Sequence, residues 1–471
     1  MVLALLLAAC LATRIYFIVA IPSCAEDAYI TFRYAANWAH GLGPVFNPGE
    51  KAWGFTSPLW TGLLALMTAV GAPIERAARL TLVGCDLLSL VLAWRLLERH
   101  SRLAAAGFAL FFALWPRLAH LPATGLETSL VTCLLLAAAS LATTRGGGVL
   151  NGLLALSRPE GAAMSVLVAW LLERRQRLVW LALSAALGGF MLYFGRWFPS
   201  SVGSKATVYG IQWFQGVYWL EWLLPGRDPI TADGEALAPI ALLFAAGLIA
   251  VIAQWRRATS LRSPLPVVLG CGLALLFGYM LLGVPWHFWY APTPMVAILL
   301  AVFLGLASAG VLRWTLVPMA LFLLLAWPGA AARVVRMQTH DAAIFTGLGE
   351  TLREDAAGRA STVMLEPIGI VGYVSGMRVI DEVGLVTPWV AHERALGDGW
   401  YARVMQRDRP DYLVIRRDWL AGGVPWAGAG APFASRPQAD SALADYEVLR
   451  LRAGQRLPDG AAKLLILRRK R

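Results

Sequence analysis

The stretch Cys24-Ala25-Glu26-Asp27-Ala28-Tyr29-Ile30-Thr31-Phe32-Arg33-Tyr34 decides how the rest of this 471-residue chain is read. It follows an apolar run over residues 1–21 with hardly a spacer, so two neighbouring carboxylates, an arginine and several aromatics stand where the chain leaves a bilayer. Acids at a membrane boundary are costly unless they are paired or used. The loop runs on through Val45-Phe46-Asn47-Pro48-Gly49-Glu50 to Gly54-Phe55-Thr56-Ser57-Pro58-Leu59-Trp60, punctuated by turn residues at Gly41, Gly43, Pro44, Pro48, Gly49 and Gly54. Residues 29–39 are expected to form an amphipathic interfacial helix. Asp27 is then either its N-cap or a general base.

Composition supports a bilayer. The chain is 58% hydrophobic and 15% charged, with a mean hydropathy of +0.60, against about 45–50% and about 25% in soluble domains. The net charge of +12 lies mostly in short clusters at 99–102, 174–177 and 256–262, which end apolar runs. That is the positive-inside pattern rather than a nucleic-acid surface. The five cysteines form no CxxC motif, and four fall inside apolar runs. The first apolar run lacks a basic leader and reads as a retained helix.

Further apolar runs occur at 58–71, 78–97, 103–119, 126–143, 149–157, 161–172, 178–198, 237–254, 266–284, 292–309 and 314–331. They predict a polytopic α-helical membrane protein with about 11 spans (11–13). With the first loop, 22–57, outside, full crossings at both 58–71 and 78–97 would put the 99–102 cluster on the wrong side. Either the 14-residue run does not cross fully, or that cluster breaks the positive-inside rule; about 11 spans corresponds to a re-entrant short run. The pair 149–157 and 161–172 reads as a broken helix lining a cavity. From about 335, charge, Gly and Pro rise and β-like runs appear at 361–365, 369–374, 378–380, 411–415 and 464–467. Residues 335–471 are expected to form a small α/β domain on the extracytoplasmic side of a 1–334 transmembrane domain. The run Gly369-Ile370-Val371-Gly372-Tyr373-Val374-Ser375-Gly376 spaces its glycines as GxxGxxxG, not as a dinucleotide loop.

Other polar groups fall on the same expected face. Glu127 in Thr124-Gly125-Leu126-Glu127-Thr128 serves either a helix dipole or a site. Arg158 in Ser157-Arg158-Pro159-Glu160-Gly161 suits a phosphate, or pairs internally with Glu160. Lys205 is a phosphate cation or a surface lysine. His287, in Trp286-His287-Phe288-Trp289-Tyr290, belongs to a substrate wall or to an aromatic belt. The aromatics of 209–222 suggest an interfacial helix. Asp86, inside an apolar run, is either functional or bonded to a neighbouring helix.

The motifs at 26–35, 45–50, 54–60, 124–128, 157–161, 199–205, 369–376 and 379–385 together resemble a group of GT-C-fold glycosyltransferases that includes arabinofuranosyltransferases of mycobacteria and of type IV pilin. The resemblance implies a cytoplasmic-membrane, cell-envelope enzyme of the inverting kind. It would move a sugar, arabinofuranose as the best single choice, from a polyprenyl-phosphate donor to a glycan or protein acceptor on the outer face. Asp27 maps to the catalytic acid of the first outer loop, with Glu26 beside it. Arg33, Tyr34, Asn47, Thr56, Glu127, Arg158, Glu160, Lys205, Trp286 and His287 become substrate-binding candidates. Glu26-Asp27 stands where the group often has Asp-Asp, and Pro199-Ser200-Ser201 where it often has Pro-Asn-Thr. The sequence gives no dedicated metal-ligand cluster, and a divalent cation (Mg, Mn or Ca) could help hold the phosphate or join the acidic pair. The rival class is a transporter or flippase of lipid-linked sugars, which predicts intramembrane charges in matched halves.

Overall fold

A computed structural model describes residues 1–209, 263–282, 284, 287–420, 430–449 and 464–470. The expected span 237–254, the aromatics of 210–222, the basic residues at 256–262 and Trp286 lie outside the described residues. The chain starts with α1 (Val2–Ala20), α2 (Glu26–Ala39), α3 (Pro58–Ala69), α4 (Ile74–Glu98), α5 (Arg102–Leu114) and the short α6 (Pro116–Ala119) and α7 (Leu121–Thr124). It goes on with α8 (Thr128–Ser140), α9 (Gly147–Ser157), α10 (Pro159–Val168), α11 (Arg174–Ser184), α12 (Ala186–Phe194), α13 (Ser200–Tyr209), α14 (Pro264–Leu281), α15 (Pro292–Ser308) and α16 (Leu312–Ala356).

Among the described residues, five helical stretches are long and apolar enough to cross a membrane, or six if the bent pair 102–114 and 116–124 counts as one span. The chain is thus a multi-pass helical membrane protein. Helix α3 has 12 residues, about 18 Å, well short of the ~30 Å hydrocarbon core. Helices α9 and α10 are separate because Arg158 is extended (φ −164°, ψ 164°) and Pro159 starts the next helix.

The deepest polar feature of the bundle joins α1, α4 and α5. Pro116 has no N–H, so the Phe112 carbonyl at the end of α5 loses its helical donor. Arg14 of α1 replaces it: Nη2 donates to Phe112 O at 3.0 Å and Nη1 to Ala113 O at 2.9 Å. Nε of the same side chain donates to Asp86 of α4 at 2.9 Å, and both residues are buried. Asp86 is therefore an internal hydrogen-bonding and ion-pairing group that ties helices together.

Helix α16 is 45 residues long and carries Pro318 and Pro328. Its Met319 and Leu323 pack in the bundle core, and Leu348, Leu352 and Ala356 pack under the sheet that follows. The division expected at 334/335 falls inside this unbroken helix. The sheet unit then runs β1 (Thr362–Leu365), α17 (Ile368–Ser375), β2 (Arg378–Asp381), α18 (Pro388–Ala395), α19 (Trp400–Asp408), β3 (Tyr412–Arg416), α20 (Arg417–Leu420), α21 (Arg436–Leu443), β4 (Tyr446–Val448) and β5 (Leu464–Arg469). Strand order is β2-β1-β3-β5-β4, with β1 parallel to β2 and β3, and β5 antiparallel to β3 and β4.

One expected strand, 369–374, is helix α17 instead. It bridges two parallel strands, which need a crossover rather than a hairpin. Its glycines let it lie against α2: a Cβ on Gly369 would clash with the Glu26 backbone, and one on Gly372 would meet Arg33 at 3.1 Å.

Removing the acid of the buried pair leaves Arg14 desolvated without a counter-charge. Asp86→Ala is expected to cost about 3–5 kcal/mol, read as a fall in Tm in detergent. The double variant Arg14→Met/Asp86→Leu should recover most of that loss.

Candidate functional site

Where the apolar bundle meets the sheet unit there is an open cleft of about 840 Å³. One wall carries Glu26, Asp27 and Ile30 of α2, Lys205 of α13, and His287 and Trp289 from the segment between α14 and α15. The other carries strand ends and loops of the sheet unit, with His340, Asp341, Ile344 and Phe345 of α16 alongside.

The start of α2 is anchored from below. Ala25 N donates to Thr124 O at 2.8 Å, and the Trp60 indole donates to Gly125 O at 3.2 Å. Gly125 itself has φ +74°, with Cys24 and Phe32 packed against it, so the turn requires glycine. Glu26 and Asp27 thus occupy the first turn of α2, where the helix dipole favours negative charge. Asp27 Oδ2 stands 3.9 Å from Lys205 Nζ, and both side chains are partly open, at 34% and 25%. Lys205 also lies 6.0 Å from the centre of the Trp289 ring, at the limit of a cation–π contact. His287 stacks flat on Trp289, with centroids 4.4 Å apart.

Glu26 reaches both the neighbouring Asp27 carboxyl and α17. One of its carboxyl oxygens accepts the Gly369 N–H of α17. Burial, and next the adjacent charge of Asp27, push its carboxyl well above the usual carboxylate range. Among the described residues no three His, Cys, Asp or Glu side chains converge on a point that could hold a metal ion. Asp27, with a lysine opposite it, does not fit a divalent ion unaided.

Four of the expected site residues come together here: Glu26, Asp27, Lys205 and His287. The structure puts most of the others to different use. Arg33 is buried, donating to Phe46 O at 2.9 Å, Gly372 O at 2.7 Å and Met377 O at 2.6 Å. Asn47, 1% exposed, acts as a one-residue strand edge against β2: it donates to Val379 O at 2.8 Å and accepts from Val379 N at 3.0 Å. The Tyr34 hydroxyl bridges Ala52 O and Gly54 N. These three fasten the first loop to itself and to the sheet unit, and none lines the cleft. Thr56 is half-buried beside Ser57, which caps α3.

Arg158 is likewise committed. It donates to Glu127 at 2.9 Å and, through two nitrogens, to Glu160 at 3.2 Å, while Tyr279 donates to the same Glu160 at 2.9 Å. Its guanidinium sits 5.0 Å from the centre of Tyr290. With two carboxylates on one buried guanidinium, Glu127, Arg158 and Glu160 form an internal ion-pair cluster rather than an exposed phosphate clamp. In the 199–205 stretch, Ser200 Oγ donates to Trp53 O at 2.8 Å and Leu385 O at 3.0 Å, and Ser204 to Gly384 O at 2.7 Å. Those bonds aim α13 so that Lys205 reaches the cleft.

Sequence reasoning missed the sheet unit's contribution: Glu366, Glu382, Arg416, Arg417 and Asp418, plus His340 and Asp341 of α16. A signal was present, because three of the expected strands are each followed directly by charged residues.

Two tests follow. Asn47→Ala leaves β2 without its edge partner and is expected to cost about 1–3 kcal/mol, with faster hydrogen exchange at Val379. His287 is held neutral: burial, then the Lys205 charge, lowers its pKa from 6.5 to about 4. The unfolded chain therefore binds the extra proton between pH 6.5 and 4, and stability is lost as pH falls through that window. His287→Gln should flatten the plot of Tm against pH between those values.

Against known proteins, a family model described as a domain of unknown function (DUF8728) matches residues 333–461. The chain is 29% identical over 243 residues to the terminal β-(1→2)-arabinofuranosyltransferase of Mycobacterium tuberculosis, a match covering 42% of this chain and 37% of that protein. The chain thus matches little more than a third of that relative's length. Among solved structures it resembles ArnT from Cupriavidus metallidurans bound to undecaprenyl phosphate, with a TM-score of 0.62 at 12% identity, covering 98% of this chain and 97% of that one. It also resembles the apo oligosaccharyltransferase of Archaeoglobus fulgidus, with a TM-score of 0.57 at 14% identity, covering 93% and 72%. The chain has the GT-C fold of these membrane proteins and is similar in sequence to a terminal arabinofuranosyltransferase.

Proposed function

We propose that the chain is an inverting glycosyltransferase that moves a sugar from a polyprenyl-phosphate donor to a hydroxyl acceptor on the outer face of the cytoplasmic membrane. The observation that carries this reading is the Asp27–Lys205 arrangement: a carboxylate and an ammonium 3.9 Å apart, both partly open, in a cleft at the end of a helical bundle. The GT-C fold supports it, and the arabinofuranosyltransferase relative supports arabinofuranose as the sugar.

The chemistry runs as one displacement. An acceptor hydroxyl attacks the anomeric carbon of the donor sugar while Asp27 takes the hydroxyl proton. The bond between that carbon and the phosphate oxygen breaks, and its electron pair leaves with the polyprenyl phosphate. Lys205 stands where it offsets the charge growing on that phosphate. The stacked His287 and Trp289 rings give the sugar an apolar face to lie against. Glu26, held by the Gly369 N–H of α17, stands beside Asp27 at the base of the cleft. A sugar that arrives already activated on a lipid needs no nucleotide pocket.

The test uses purified protein in detergent with a panel of polyprenyl-phosphate sugars and an acceptor mixture, scoring released polyprenyl phosphate. Asp27→Asn should lose at least ~100-fold in turnover. Lys205→Met should raise the donor KM roughly tenfold, as expected for one charge-assisted contact. Wild-type turnover by a folded Asp27→Asn protein would rule Asp27 out as the base.

A further inference from the structure

Residues 379–385 form the end of β2 and the turn after it, and they include a buried acid that does not line the cleft. That acid, Asp381, spends its carboxyl on the backbone of its own turn. Oδ1 accepts from Val383 N at 2.8 Å and Oδ2 from Val386 N at 3.0 Å, and the Leu385 N–H also faces the group. The first of these bonds is the two-residue reach of an Asx turn, for which aspartate has the right length. The Asp381 N–H donates to Thr387 Oγ1 at 3.1 Å, and its carbonyl accepts from Gly384 N at 3.1 Å. The turn over residues 382–387 thus closes on one side chain.

A planar trans peptide sends its N–H and its C=O in opposite directions. Drawing the N–H groups of Leu385 and Val386 inward to Asp381 therefore turns the carbonyls of Gly384 and Leu385 outward. Helix α13 takes both: Ser204 Oγ donates to Gly384 O at 2.7 Å, and Ser200 Oγ donates to Leu385 O at 3.0 Å. Lys205 is the residue after Ser204, and its ammonium stands 3.9 Å from Asp27. The turn is packed on its other sides as well. A Cβ on Gly384 would come within 2.8 Å of Ala391 in α18, and one on Gly54 of the first loop within 2.7 Å of Val386.

We propose that Asp381 is a positioning residue for donor binding: it orients the peptide planes that hold α13, and through them it sets where the Lys205 ammonium stands opposite Asp27. The sheet unit thereby governs affinity for the donor phosphate without touching it. The word donor rests on the transferase reading above; the placement of Lys205 does not.

Two readouts on the full chain in detergent test this. The chain has lysines at 51, 205, 463 and 470 only, so after reductive methylation with carbon-13 formaldehyde the Lys205 NMR signal is identified by its loss in Lys205→Met. In the otherwise native chain, Asp27→Asn should shift that signal. With Asp381→Asn, which sets an amide N–H against a backbone N–H, Asp27→Asn should no longer move it. Ser204→Ala cuts the path at its last bond and leaves the turn intact. It should have the same effect, so the outcome does not hang on the folding of one buried variant.

The second readout is equilibrium binding of polyprenyl phosphate, without turnover. Asp381→Asn should weaken it about tenfold and Ser204→Ala several-fold. Neither should weaken it further in a chain that already carries Lys205→Met, because coupled residues are not additive. A normal Lys205 response in both Asp381→Asn and Ser204→Ala would overturn the proposal. So would an equal loss of lipid affinity with and without Lys205, which is what general damage to the fold produces. If the Lys205 signal behaves as stated but the native chain neither binds polyprenyl phosphate nor consumes any polyprenyl-phosphate sugar, the transferase reading fails and the positioning role stands.

Discussion

The contact between α2 and α17 is the constraint on which the cleft depends. Helix α2 presents Glu26 and Arg33, two turns apart, to one neighbour. The carboxyl of Glu26 meets the amide of Gly369 at the start of α17, and the guanidinium of Arg33 meets the carbonyls of Gly372 and Met377 near its end. Each charge type thus faces the pole of the partner helix that favours it, and each satisfies backbone groups a helix end leaves without partners. Glycine at 369 and 372 allows the approach. Asp27 is the residue next to Glu26, so its placement over the cleft is set by how the sheet unit grips the first loop.

Elsewhere the chain handles intramembrane and boundary charges by pairing them. Arg14 joins Asp86 and two carbonyls freed at a proline break, and Arg158 gathers Glu127 and Glu160. An isolated charge in such surroundings would be strongly disfavoured, and pairs of this kind hold helices in a chosen arrangement more than they add stability. Asp27 and Lys205 differ from these pairs in being looser and partly open to the cavity. That difference in exposure and distance separates the pair proposed to do the chemistry from the architectural ones; residue type does not.

Much of the helical framework was legible from the apolar runs, and the acid of the first loop stood out by its position. Strands at 361–365, 378–380, 411–415 and 464–467 could be read from local composition, because β-branched runs bounded by breakers carry their own signal. What could not be read were partners. Arg33 and Asn47 look like ligand-binding side chains until the end of α17 and β2, more than three hundred residues away, are seen against them. The stretch 369–374 has the composition of a strand but must be a helix to join two parallel strands, a demand made by the sheet and invisible locally.

Helix α16 carries one more implication. It is continuous from the apolar bundle to the underside of the sheet, with its two prolines confined to the apolar end. Beyond Pro328 it contains no further proline, and its His340, Asp341, Ile344 and Phe345 form one bank of the cavity. Met319 and Leu323 of this helix pack in the bundle core, and Ile344 and Phe345, about six to seven turns on, line the cavity that Asp27 also lines, so one bank of the cavity and the bundle share a single continuous support.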